Sequence, residues 1–336
     1  MSWKQASRGI AAPMACGLIL LAVSANGDGL RSEIDRLHEL ASDPALGDNA
    51  SRVRDAVEDA DTAVTAGRTH LAAEHLGGAL VIGEALAYRA GKKDEIEDFE
   101  AFAAEWRTQA TVADRARELV TGEFCGQAPA QVRALVEASL NQVPAYYHAA
   151  GAMGPATNVE TGLYYLGRAV GALKIVNWCE LMAAEPRTAP VLRSLGRELA
   201  ELETATGREY ARPGAAIDKH SDFIGLNATI KELRELDGKG LRFGALYKYL
   251  DGVLRVTLLA DPEADGDRAA LLGQARDLDA RLDAAPADHG IARIFLDRAT
   301  AALTDTEAEA TDLAAAEHVL GRVLPAYFEI VGVPEP

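Results

Sequence analysis

Apolar residues recur at three- and four-residue spacing along almost the whole chain, the period of an α-helix. Ile96, Phe99, Phe102, Ala103, Trp106 and Ala110 fall on one helical stripe, predicting a helix across that span. Leu192, Leu195, Leu199 and Leu202 repeat at 3-4-3 spacing, a short coiled-coil-like seam. Phe243, Leu246, Leu250, Val253 and Thr257 do the same. No run of β-branched residues alternates with the period of two that a half-buried strand requires. Ala, Leu, Glu and Arg are abundant, and all favour helix. Glycine and proline punctuate the stripes at Asp43-Pro44, Ala66-Gly67, Gly91, Gly126 to Pro129, Gly154-Pro155, Glu185-Pro186, Arg212-Pro213-Gly214, Asp237 to Gly240, Asp261-Pro262 and Ala285-Pro286. The pattern predicts an all-α fold of about ten or eleven helices, antiparallel because their connections are short.

One punctuated segment also carries a repeat-like spacing. Gly67, Ala72, Leu76 and Ala79 stand where a tetratricopeptide repeat places its inter-helix turn and second helix. The segment therefore resembles that family. The preceding helix departs from the pattern, with Ala56, Asp59 and Ala63 at positions for large residues and Glu84 where a proline is expected. Ala315-Ala316-Glu317-His318-Val319 echoes Ala72-Ala73-Glu74-His75-Leu76, but the echoes are not evenly spaced. The resemblance implies tetratricopeptide-like stacked hairpins as the alternative to a closed helical bundle, and implies no activity.

The N-terminus has the three parts of an export signal. Lys4 and Arg8 open it without an acidic residue, an apolar run follows through Ala22, and Val23-Ser24-Ala25 offers small residues for cleavage. The run is short for a membrane span and is interrupted by Pro13, which favours a cleaved signal over a retained anchor. Residues 1–25 are thus expected to be a signal peptide. Residues 26–336 are expected to form a soluble helical region of the periplasm or cell exterior, with a sub-boundary near 212–214. Cleavage removes two basic charges and takes the formal charge from −17 to −19. Such acidity argues against nucleic acid and anionic membrane faces as partners and leaves cations or basic proteins.

Export also makes the two remaining cysteines, Cys125 and Cys179, candidates for a disulfide. Pro129 to Glu185 reads as two long helices around a turn at Gly154-Pro155. Residues equally far from the turn then face each other, so Cys179 lies level with Ala130, and the loop carrying Cys125 can close the gap. The same mirror symmetry gathers Tyr146 and Tyr147 opposite Tyr164 and Tyr165, with Arg168 close by. Four amphipathic rings can line a site for a ring-shaped or cationic ligand, or can simply pack a helix interface.

Other candidate chemistry is sparse. Asp261, Glu263, Asp265 and Asp267 alternate before a turn, with Gly266 at the sixth position, and resemble the start of an EF-hand calcium loop. Leu272 stands where that loop needs a bidentate Glu, so a solvated acidic loop with Asp267 capping the next helix is the competing reading. Asp218, His220 and Asp222 follow a break and can converge on a divalent metal only if they lie in a loop. His70, Glu74 and His75 miss the i, i+4 pairing of a zinc helix by one residue. No nucleophile elbow, Cys-x-x-Cys, phosphate loop or dinucleotide glycine pattern occurs. Three functions stay open: an exported interaction or scaffold protein with an unidentified protein partner, a binding protein for a small ligand or Ca²⁺, and a helical enzyme of unknown class.

Overall fold

The computed structural model describes residues 19–333, apart from 123, 127, 157, 183–187, 261–262 and 264–265. The fold is all-α. The helices are α1 (Ile19–Ala41), α2 (Ser51–Thr65), α3 (Thr69–Lys92), α4 (Phe99–Thr108), α5 (Ala110–Thr121), α6 (Ala130–Ala156), α7 (Val159–Lys174) and α8 (Trp178–Leu181). They continue as α9 (Gly196–Tyr210), α10 (Ala215–Asp218), α11 (His220–Gly238), α12 (Arg242–Ala260), α13 (Arg268–Ala284), α14 (Gly290–Thr304), α15 (Ala310–His318) and α16 (Leu324–Val331). Among the described residues no strand forms, and one isolated bridge joins Thr188 to Ala287. No described helix is long and apolar enough to cross a membrane. Most of the expected signal segment, residues 1–18, lies outside the described residues. Cleavage after Ala25 would shorten α1 but keep Leu30, Ile34 and Leu37, its buried face.

The apolar stripes converge on two cores. The first gathers Leu37, Val53, Leu76, Leu80, Leu140, Leu166 and Ile175 from α1 to α7 and the turn after it. The second gathers Leu226, Leu246, Leu250, Phe295, Leu320, Leu324 and Tyr327 from the C-terminal half. Met182 belongs to the first and Leu195 to the second, so the chain passes from one to the other between them. Arg212-Pro213-Gly214 is the turn between α9 and α10, and residues on both sides of it feed the second core. Helix α6 serves both cores: Val132, Leu135 and Val136 face the first, and Ala130 and Ala134 the second. Each leucine fully buried this way stabilises the fold by about 1.5–3 kcal/mol.

Close helix contact requires missing side chains at two places on α7. A Cβ at Gly167 would lie 2.7 Å from the Ala85 Cα, and one at Gly171 would lie 2.9 Å from the Glu84 Cβ. These glycines, one turn apart, let α7 lie against α3. Glu84 is itself buried there, accepting from Arg36 at 3.0 Å and Lys174 at 2.6 Å.

Three expected boundaries move, each for a local reason. The stripe from Ile96 to Ala110 is not one helix. The Asp98 carboxylate accepts from the Ala101 N–H at 2.8 Å and starts α4 after Ile96. The chain then turns at Gln109, so that Phe102 seats α4 while Ala113 and Ala116 seat α5. Leu192 and Leu195 precede α9, because Asp237 of α11 accepts from Ser194 Oγ at 2.7 Å and from the Leu195 N–H at 3.0 Å. A helix running through these positions would have to surrender those bonds. The central hairpin turns at Asn158, whose side chain caps α7 by accepting from Thr161 N–H at 2.7 Å. Gly154 and Pro155 lie in the last turn of α6.

A carboxylate fastens α6 to α12. Glu137 is 5 % exposed and accepts from the Gly244 N–H at 2.7 Å, at the helix N-terminus. Burial pushes its pKa up to about 7, against the pull of the Gly244 N–H and of Arg133. A carboxylate with a raised folded pKa favours the native state while protonated. Its contribution is complete below the unfolded value of 4.5 and is lost as pH rises through about 7. The shift corresponds to about 3 kcal/mol. Glu137→Gln keeps the acceptor and cannot ionise. Denaturation between pH 4.5 and 7.5 should therefore show the parent losing stability relative to this variant as pH rises, and a constant difference would contradict the assignment.

Candidate functional site

Where the two cores meet, α3, α6, α7, α11 and α12 leave a cleft of about 310 Å³, at the low end of the roughly 300–1,000 Å³ of small-molecule sites. One face of α6 forms its wall. Leu135, Ala138, Ser139, Gln142 and Tyr146 are spaced three or four apart and so line up along the helix. Helix α3 contributes Gly77, Gly78 and Val81, and α7 contributes Arg168 and Ala172. Glu232 of α11 and Tyr247 and Lys248 of α12 close the far side. Gly78 is exposed, and a Cβ built there meets nothing within 4 Å. A glycine inside an exposed helix face costs up to about 1 kcal/mol relative to alanine. Here it leaves room in the cleft.

Most of the charges at this site are paired. Lys248 Nζ lies 2.7 Å from Glu232 Oε2. The Glu74 carboxylate at the base of the cleft accepts from Arg298 Nε at 2.7 Å, from Arg298 Nη2 and from the Tyr247 hydroxyl. Burial first, and then the Glu74 charge, hold the Tyr247 hydroxyl well above its ordinary pKa, so it stays a donor. Burial lowers the affinity of Arg298 for its proton, but Glu74 and Tyr247 more than restore it.

Arg168 is different. Its Nη2 donates to the Tyr146 hydroxyl at 2.7 Å, and its guanidinium carbon sits 4.1 Å from the centre of the Tyr146 ring. No carboxylate among the described residues lies within ion-pair distance of it, and its buried Nε–H has no hydrogen-bond acceptor. The Tyr146 pKa is raised by burial and only partly drawn back by Arg168. Ser139 and Gln142, half-buried on the α6 wall, use no side-chain hydrogen bond within the described residues.

The structure therefore divides the expected tyrosine cluster. Tyr146 and Arg168 line the cleft, and Tyr165 lies behind them with its ring centre 6.0 Å from the Arg168 guanidinium carbon. Tyr164 meets the edge of Tyr165 with ring centres 6.0 Å apart. Tyr147 points elsewhere. It stacks on Trp106 at 5.1 Å and 11°, while Trp106 Nε1 donates to the Tyr147 carbonyl at 3.0 Å. Consecutive helical residues diverge by about 100°, and here that turns Tyr146 to the cleft and Tyr147 to Trp106. Glu232, Tyr247 and Lys248 are not legible as site residues along the chain because they enter from distant helices. The signals that do point to the cleft are the Ser139, Gln142, Tyr146 spacing and the paired glycines inside a long helix.

Of the acidic loop, Asp261 and Asp265 lie outside the described residues. Glu263 is exposed, and Asp267 caps α13 by accepting from the Ala270 N–H at 3.1 Å. Asp218 ends α10, while His220 and Asp222 begin α11. Among the described residues no group of three or more His, Cys, Asp or Glu side chains is placed to hold a metal ion. His70 turns to Asp297, 3.3 Å away, and Glu74 to Arg298. Cys125 and Cys179 stand at disulfide distance, with Cα atoms 4.9 Å apart. Cys125 adopts φ 58°, a left-handed conformation unusual outside glycine, in the loop that brings it to Cys179. No family model, curated protein or solved structure matches the chain.

Proposed function

We propose that this chain is an exported helical binding protein whose cleft between α3, α6, α7 and α12 takes a small polar ligand. The observation that carries the reading is Arg168, which lines the cleft without a counter-ion and with a buried Nε–H that has no acceptor, across from Ser139 and Gln142, whose side chains make no hydrogen bond within the described residues. Buried polar groups are ordinarily satisfied within the fold or by a bound molecule. Among the described residues neither the scaffold reading nor the enzyme reading has a comparable feature in its support.

Gly78→Leu tests this reading. Leucine favours helix over glycine and fills the cleft from its open side. The variant should match or exceed the parent in melting temperature. A metabolite library screened by thermal shift should yield compounds that stabilise the parent, by about 2.7 kcal/mol at 100 times their Kd, and leave Gly78→Leu unmoved. Hits that stabilise both proteins equally would place binding elsewhere, and a screen without hits would remove the support for a ligand.

A further inference from the structure

We propose that the ligand of this cleft is a compact monocarboxylate with an apolar body, received by Arg168. The inference rests on the reading of the cleft as a ligand site and adds the chemical class. The chain has 51 acidic side chains against 34 basic ones, so acidic partners are in excess. Several half-buried arginines, Arg89 and Arg133 among them, also lack an ion pair, but Arg168 is the one of these that lines the cleft. Glu74 is neutralised by Arg298 and Glu232 by Lys248, which leaves the Arg168 charge uncompensated. One free positive charge suits a carboxylate. A phosphate dianion would require a second cation, and Lys248 is held by Glu232.

Geometry supports the same class. The Tyr146 ring and hydroxyl hold the guanidinium in place, so little side-chain freedom remains to be lost on binding. Charge-assisted bonds from arginine to carboxylate are among the stronger polar contacts available. Ser139 and Gln142 add neutral donors along the same wall. The rest of the lining includes Val81, Leu135 and Ala172, which would cover an apolar body and leave a second charged group unsolvated.

A head-group series on one ring decides the matter. Benzoate, benzylamine, benzamide and phenyl phosphate, with hexanoate as a second carboxylate, are titrated calorimetrically into the parent protein, Arg168→Gln, the Ser139→Ala/Gln142→Leu pair and Gly78→Leu. Benzoate or hexanoate should bind the parent most tightly, lose about tenfold or more in Arg168→Gln, weaken in the Ser139/Gln142 pair, and be blocked by Gly78→Leu. Tighter binding of benzylamine or phenyl phosphate, still blocked by Gly78→Leu, would overturn the carboxylate and leave the cleft as a site. Binding that survives Gly78→Leu would overturn both. No binding of either carboxylate at millimolar concentration would overturn the inference, while the library screen would still judge the cleft. If Arg168→Gln does not fold, the head-group ranking and the Ser139/Gln142 pair separate these outcomes.

Discussion

Arg298→Met should destabilise the fold by about 3 kcal/mol, and adding Glu74→Gln should recover much of that loss. Arg298 of α14 bonds Glu74 of α3 through two nitrogens, and the Tyr247 hydroxyl of α12 completes the cluster. Three helices and both cores are joined at this point. Removing one member of a buried pair leaves an uncompensated charge and costs about 3–5 kcal/mol, more than the net contribution of the pair. Arg298 keeps 28 % of its side chain exposed and Glu74 14 %, so water can compensate part of the loss and the lower end applies. Methionine retains the packing of the aliphatic stem, which separates lost charge from lost volume. Urea denaturation of the two singles and the double gives the coupling directly. A loss in the double variant equal to the sum of the two single losses would show that the charges act independently. The cluster also forms the base of the cleft, so the same variants should weaken ligand binding only as far as they loosen that base.

Reduction should cost still more. Cys125 and Cys179 are separated by 54 residues, and closing a loop of that size lowers the entropy of the unfolded chain by the equivalent of about 4 kcal/mol. The pair ties the loop before α6 to the segment after α7, across the base of the hairpin that holds Tyr146 and Arg168. Intact mass of unreduced protein should show no alkylatable thiol at either position. The Cys125→Ser/Cys179→Ser double variant should unfold at a denaturant concentration lower by an amount equivalent to about 4 kcal/mol. Two free thiols in protein recovered from an oxidising medium would dispose of the bond. A double variant as stable as the parent would instead show that the hairpin is fixed by its packing.

Much of this architecture was legible in the chain. Helical periodicity is a local property, and stripes such as Phe243, Leu246 and Leu250 bury on folding wherever a partner surface exists. The cysteine pairing was expected from a count about a turn at Gly154-Pro155; with the turn at Asn158 and α7 ending at Lys174, the segment after α7 and the loop before α6 bring the two cysteines together. Boundaries were less secure wherever a distant side chain intervened. Asp237 starts α9 from another helix, and nothing near Leu195 announces it. The tyrosine cluster failed as a unit because proximity along a helix does not specify direction: Tyr146 turned toward Arg168 and Tyr147 toward Trp106.

By itself the sequence determined the all-α class and the central hairpin, since each depends on spacing along a regular helix. Only the tertiary structure decided which charges neutralise one another. Glu74 finds Arg298 from 224 positions away, Glu232 finds Lys248 between neighbouring helices, and Arg168 is left with a ring beneath it and no carboxylate. Ion pairing depends on distances of a few ångströms between side chains far apart in the chain, and those distances exist only once the two cores have packed.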